Sequence, residues 1–279
     1  MNNDSGRKVA LVTGASSGIG MATAERLLAD GLVVYAAARR VEKMADLAKM
    51  GALPVRMDVT SDEAIADAVS NIKQRHGGVD VLVNNAGFGC YGSVEDTSIE
   101  DAHYEFEVNL FGMAQVTRAV LPSMRTRGSG LIINISSMGG KIYTPLGAWY
   151  HATKHAVEGW SDCLRLEVAP FGIRVIIIEP GIIRTNFTDA MLAPMMERSG
   201  NSPYRHMANA VSASTMKIYS PDSSSPPSVV AATVSKAIRA KNPRTRYPVG
   251  KLARPLLFAR KWLGDRVFDR LISASISQK

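Results

Sequence analysis

At 279 residues, with 46% apolar and 21% charged side chains, the chain suits one large α/β domain able to bury a sizeable core. No apolar run approaches the length that spans a bilayer, and the polar stretch 1–8 lacks the apolar centre of a secretory signal. The net charge of +8 is concentrated: twelve Lys/Arg face two Asp/Glu from Lys236 to Lys279, leaving the body near neutral, without the basic patch and stacking aromatics of a nucleic-acid binder. In chain order, 8–13 is a strand-like apolar run and 19–30 a helix ending at Gly31. A second apolar run covers 32–37, a helix 41–50 stops at Gly51, and a short strand covers 53–57. Ser61 is placed to cap a helix over 61–76, which Gly77 and Gly78 close. A strand at 79–83, a long helix at 99–127, a strand at 130–135, a helix at 148–169 and a β-branched strand at 173–178 follow.

Strands alternating with helices, and apolar on both faces, predict an α/β fold built on a doubly wound parallel sheet. After Pro180 the pattern changes. The segment 186–225 mixes Met, Ser, Asn and Pro without clean periodicity, and 220–227 is a turn-rich break. It is expected to be a mobile, partly helical insertion beside the binding cleft, because ligands in such sheets sit beyond the carboxyl ends of the strands. A surface loop without a role is the alternative. Cys90 and Cys163 make neither a disulfide framework nor a metal-ligand spacing, so no metal is expected and a reducing cytoplasm is the expected setting.

The first strand runs into Thr13, Gly14, Ala15, Ser16, Ser17, Gly18, Ile19 and Gly20. Gly14 permits a tight turn, Gly18 lets backbone approach a pyrophosphate, and Gly20 lets helix and strand pack closely. The helix start offers free N–H groups and positive dipole to phosphate. A carboxylate at the end of the second strand would favour NAD; Arg39 and Arg40 stand there instead, so NADP(H) is the expected cofactor, with Arg39 pairing its 2′-phosphate. Asp58, with Val59 beside it, is a candidate for the adenine, or a turn residue ahead of Ser61. Asn84, Asn85, Ala86 and Gly87 follow the fourth strand, where small residues admit backbone against a cofactor and the amides tie strands together.

Tyr150 and Lys154 are four positions apart on one helix and share a face. A phenol with an ordinary pKa near 10 is a poor base; a neighbouring ammonium lowers it and suits the pair to acid/base work on a carbonyl or alcohol oxygen. Ser137 ends the preceding strand, where it can bond a substrate oxygen as charge develops. Asn109 is a polar residue among Val108, Leu110 and Phe111. Either it holds a water that relays protons to Lys154, or it is a core amide satisfied locally.

Together these motifs resemble the short-chain dehydrogenase/reductase family in its compact single-domain branch, closely over residues 8–185. The glycine turn matches the family's cofactor turn, and Asn84 to Gly87 matches its second motif. Asn109, Ser137, Tyr150 and Lys154 fall on its catalytic tetrad. Pro180, Gly181 and Thr185 match the segment at the nicotinamide end. The resemblance implies a Rossmann-type sheet in a single domain with a C-terminal helical extension. It implies hydride transfer between NADP(H) and a carbonyl or alcohol, Lys154 also binding the nicotinamide ribose, and a homodimer or homotetramer. Past residue 185 the similarity is to the hydroxysteroid and retinol dehydrogenase branch and is loose.

Phe88, Gly89, Cys90, Met138, Tyr143, Phe187, Met191, Met195 and Met196 flank the tetrad, and Met and Phe make an adaptable apolar wall. An apolar carbonyl or alcohol substrate is expected, touching Ser137, Tyr143, Tyr150 and Met191, unless the Met stripe is core packing. The segment 251–277 interleaves apolar and basic residues. It is suited to covering the cleft, to meeting a subunit partner, or to peripheral contact with an anionic membrane. Two other classes stay open: a redox sensor that holds NADP(H) without turnover, and an epimerase or dehydratase on the same fold.

Overall fold

The computed structural model describes residues 6–276. Positions 1–5 of the polar N-terminal stretch, and position 277 at the end of the expected tail segment, lie outside the described residues.

Seven strands form one parallel sheet in the order β3-β2-β1-β4-β5-β6-β7. They are β1 (Val9–Thr13), β2 (Val33–Ala38), β3 (Leu53–Arg56), β4 (Val81–Asn84), β5 (Gly130–Ile135), β6 (Ile173–Pro180) and β7 (Arg246–Val249). The helices are α1 (Gly18–Ala29), α2 (Ala45–Lys49), α3 (Asp62–His76), α4 (Ile99–Phe106), α5 (Met113–Arg127), α6 (Ala148–Val168), α7 (Phe187–Ser199), α8 (Arg205–Ile218), α9 (Ser228–Arg239), α10 (Ala253–Trp262) and α11 (Asp265–Ile276). Among the described residues none is long and apolar enough to cross a membrane.

The apolar strand runs are explained by cover on both faces. Side chains alternate along each strand, so Ala10 and Val12 of β1 join one core layer with Ala24 and Leu27 of α1 and Val230 and Val234 of α9. Val9 and Leu11 enter the opposite layer with Ile72 of α3, Val120 of α5 and Leu164 of α6. Pro54 and Pro248 sit in β3 and β7, the two edge strands, where a missing ladder donor is tolerated. Ser61 caps α3 by accepting the N–H of Ala64, and Gly77 ends it at φ 77°.

Two features differ from expectation. The long helix over 99–127 is broken by a π-helical turn at Glu107–Gly112, which leaves the apolar pattern intact and inserts one extra residue per turn. The 186–225 segment, expected to be partly helical, carries α7 and α8. Beyond it α9 and β7 extend the sheet and its cover, where no element was expected.

Candidate active site

The strand order changes direction between β1 and β4, and the loops after these strands bound the crevice where such sheets take ligands. Gly14 (φ 66°) and Gly18 (φ 56°) turn the chain between β1 and α1. A Cβ on Gly20 would stand 2.3 Å from the Gly14 carbonyl oxygen and 2.5 Å from Asn85 Nδ2, so the helix approaches the turn more closely than any side chain allows. Across the crevice Asn85 Nδ2 donates to the Thr13 and Gly14 carbonyls at 3.0 and 3.3 Å. Thr13 Oγ1 accepts the N–H groups of Asn85 and Ala86. Asn84 donates to Asn134 Oδ1 at 2.9 Å, so these amides do tie the strands together.

Ser17 caps α1 in extended conformation without a side-chain hydrogen bond to the helix, leaving the first-turn N–H groups available to an anion. Ser16 and Ile19 are half-buried beside it. Thr185 lies against this turn, 3.1 Å from where a Gly18 Cβ would be, and Pro180 and Gly181 lead to it from β6. These observations fit a dinucleotide: a cradle with no room for side chains, next to uncapped helix donors. Arg39 and Arg40 are exposed at the end of β2, and Arg39 Nη1 donates to the Tyr104 hydroxyl at 3.1 Å. Asp58 uses Oδ1 to hold Thr60, the turn role that had been the alternative, and buried Val59 follows it.

One turn of α6 brings Tyr150 and Lys154 together, and both are buried. Lys154 Nζ donates to the Ile135 carbonyl at 3.1 Å and lies 6.0 Å from the Tyr150 ring centroid. Ser137 follows β5, accepts the Gly139 N–H at 3.0 Å and stands where its hydroxyl lowers the pKa of the Tyr150 phenol. A Cβ on Gly87 would stand 2.9 Å from Asn109 Oδ1 and 3.9 Å from Lys154 Nζ. The four residues of the expected tetrad therefore converge beside the glycine turn's partner loop.

Asn109 is engaged throughout. Its Oδ1 accepts the Phe88 N–H at 3.0 Å, and its Nδ2 donates to Phe88 O, Thr153 Oγ1 and Glu105 Oε1. Of the two readings, the amide is satisfied by protein, with its side chain bracing the loop after β4 against α6.

Burial pushes the Tyr150 phenol up, opposed by the Ser137 hydrogen bond. The sequence suggested the reverse, because it shows the nearby lysine but not the desolvation. Burial also brings Lys154 down to about 8, with Glu105 and Glu158 opposing.

The side chains packed around the Tyr150 ring are mostly apolar. Tyr91 and Phe187 lie 5.6 and 5.5 Å from the Tyr150 ring, and Met191, Met195 and Leu146 are buried in the same cluster. Burial pushes the nearby Tyr219 phenol up to about 12. Tyr143 is not brought there: its hydroxyl donates to Asp269 at 2.8 Å and its ring packs edge-on against Phe268, both in α11. Half-buried Met138 joins that same cluster with the tail.

Sequence reasoning missed Glu105, Tyr91 and Tyr219. Glu105 is fully buried one turn before Asn109, and its Oε1 accepts the Cys90 N–H at 2.8 Å. Its only signal was a carboxylate at i−4 to a buried amide.

Against known proteins, the short chain dehydrogenase family model matches residues 8–195. A 3-ketodihydrosphingosine reductase of Bacteroides thetaiotaomicron is 38% identical, with 94% of this chain and 95% of the relative covered. A short-chain dehydrogenase from Streptomyces avermitilis has a solved structure of TM-score 0.82 at 37% identity, covering 96% of both chains. A Burkholderia phymatum short chain dehydrogenase/reductase in complex with NAD has TM-score 0.75 at 26% identity, covering 86% of this chain and 88% of that one.

Proposed function

The chain belongs to the short chain dehydrogenase family of oxidoreductases, and from that premise we propose that it is an NADPH-dependent reductase of an apolar ketone or aldehyde. The observation that carries this reading is the pair of buried residues Tyr150 and Lys154 one turn apart on α6, with half-buried Ser137 acting on the Tyr150 phenol, beside a glycine cradle at the sheet's change of direction. Gly14, Ser16, Ser17, Gly18, Ile19 and Gly20 would hold the pyrophosphate, Arg39 and Arg40 the 2′-phosphate, and Asp58 and Val59 the adenine. Asn85, Ala86 and Gly87 would lie along the cofactor, with Lys154 at the ribose and Pro180, Gly181 and Thr185 at the nicotinamide. When bound, the nicotinamide supplies or takes up the hydride.

Tyr150 acts on the carbonyl oxygen as proton donor. Its burial keeps the phenol protonated at neutral pH, the form needed for reduction. Ser137 donates to the same oxygen as negative charge builds there. Lys154, at about 8, is mostly cationic at neutral pH and stabilises the phenolate left behind. The apolar wall of Tyr91, Phe187, Met191 and Met195 supports an apolar substrate, and the Bacteroides relative is itself named for a ketone reductase. That Cys90 and Cys163 are unpaired supports a reducing, cytoplasmic setting. The family's habit supports a homo-oligomer, which native mass spectrometry would count.

The Burkholderia neighbour holds NAD, so NADP rests on Arg39. A charge-assisted hydrogen bond contributes about 1.5–3 kcal/mol, so Arg39→Ala should lower kcat/KM for NADPH by roughly ten- to 150-fold and leave NADH little changed. An unchanged NADPH preference would refute the cofactor assignment. Tyr150→Phe should lower turnover by about 10²–10⁴ while NADPH still raises the melting temperature.

A further inference from the structure

Helices α10 and α11 expose more apolar surface than their own packing explains. Their inner side is filled: Phe268 and Ile272 are buried against Ile142, with Leu256 and Leu257 beside them. Arg260 stacks over the rings of Tyr143 and Phe268 at 5.2 and 5.7 Å and pairs with Asp265 at 2.8 Å. The outer side is not filled. Phe258 and Trp262 are 67% and 65% exposed, one turn apart with ring centroids at 6.3 Å. Val267 and Leu271 repeat the spacing on α11 at 50% and 38% exposure, and Leu263 lies between the helices.

Cations flank these residues. Arg254 precedes Phe258 and Trp262 at i, i+4 and i+8, while Arg266 and Arg270 each stand one position before Val267 and Leu271. On α11 this makes a basic stripe alongside an apolar one. Among the described residues, Arg254, Lys261, Arg266 and Arg270 enter no ion pair; Lys261 sits over the Trp262 ring at 5.2 Å. A large apolar patch on a soluble protein marks an interaction surface. A second copy of this chain, meeting it through the same face, would set these four cations against their equivalents. A sheet of anionic phosphates over an apolar layer meets both features at once.

We propose that the α10–α11 pair docks the protein onto an anionic lipid surface. Phe258, Trp262, Val267 and Leu271 enter the headgroup boundary, and Arg254, Lys261, Arg266 and Arg270 pair with lipid phosphates. The docked element also reaches the substrate side, because Ile276 packs on the cluster holding Tyr150 and Met191, and the Ser275 carbonyl accepts the Ser214 hydroxyl of α8 at 3.1 Å. Delivery of an apolar substrate along this route rests on the function proposed above; the docking does not.

The test is flotation of the full chain with phosphatidylcholine vesicles, with and without phosphatidylglycerol, so that failure to dock is separable from failure to reduce a ketone. Expected is flotation with the anionic vesicles alone, weakened by salt, with a blue shift of tryptophan emission that Trp262→Phe abolishes. Phe258→Ser with Trp262→Ser, and separately Arg254→Glu with Arg266→Glu and Arg270→Glu, should each weaken partitioning at least tenfold. The NADPH-induced thermal shift should stay at the wild-type value, which reports an intact fold. Three results would overturn the proposal: no flotation on either vesicle, undiminished flotation of the Ser variant, or dissociation of a native oligomer by that variant.

Discussion

Replacing Glu105 by Gln should flatten the dependence of stability on pH. The side chain is fully buried beside Asn109. Its Oε1 has the Cys90 N–H, and its Oε2 has no hydrogen-bond partner among the described residues. Burial pushes this carboxyl from 4.5 up to about 7. Between those values the native protein keeps a proton that the unfolded chain has released. The stabilisation is therefore full below 4.5 and is lost as pH rises through about 7. At about 1.36 kcal/mol per pH unit, Glu105 alone removes about 3 kcal/mol across that window. Glu179, pushed up to about 7 by burial and the Glu158 charge, adds a second loss of the same sign. Gln keeps the shape and the acceptor for Cys90 without the charge. Its amide hydrogens then lack an acceptor, at a cost of about 1–3 kcal/mol, but that cost does not vary with pH. Urea unfolding from about pH 4 to about pH 8, at constant protein concentration, separates the two effects. Relative to wild type, Glu105→Gln should gain about 3 kcal/mol over the range. A constant difference between the two proteins would refute the reasoning.

Other expectations concern the cradle, the lysine and the acid cluster behind it. Gly20→Ala places a methyl 2.3 Å from the Gly14 carbonyl oxygen, so the turn must open and NADPH affinity should fall by at least about tenfold; a fluorescence titration within twofold of wild type would contradict this. Lys154 is brought down to about 8, so the ammonium is lost as pH rises through that value, and kcat/KM for reduction should decline there. Lys154→Arg, whose charge does not titrate in this range, should remove that alkaline limb even if its rate is lower, and an unmoved limb would show another group is responsible. Arg246 pairs with Glu158 at 3.0 Å, Asp162 at 2.6 Å and Glu179 at 3.7 Å. Arg246→Met leaves buried Glu179 without its cation and buried Glu158 with Lys141 alone, and should cost about 3–5 kcal/mol at neutral pH, with the loss shrinking as pH falls through about 7 and Glu179 takes up a proton; a uniform loss at all pH values in urea unfolding would count against it.

What the sequence by itself determined was local. The glycine turn, the Ser61 cap, the alternating strands and helices, and the four-residue spacing of Tyr150 and Lys154 all depend on backbone geometry and on neighbours within a turn or two. Tyr143 shows the limit: it stands near Tyr150 in sequence, yet the fold gives it to α11 through Asp269 and Phe268. The π-helical turn that carries Asn109 leaves no mark in an apolar pattern, because the extra residue is absorbed without changing which side chains are apolar. Nor did periodicity show α9 and β7, or where α7 and α8 begin and end within the partly helical segment expected after Pro180. The tertiary structure alone decided the ionisation of the site. Whether the Tyr150 phenol is pulled down by a lysine or pushed up by burial depends on how much water the helices after residue 186 exclude, and desolvation is a property of everything packed around a group rather than of its neighbours in the chain.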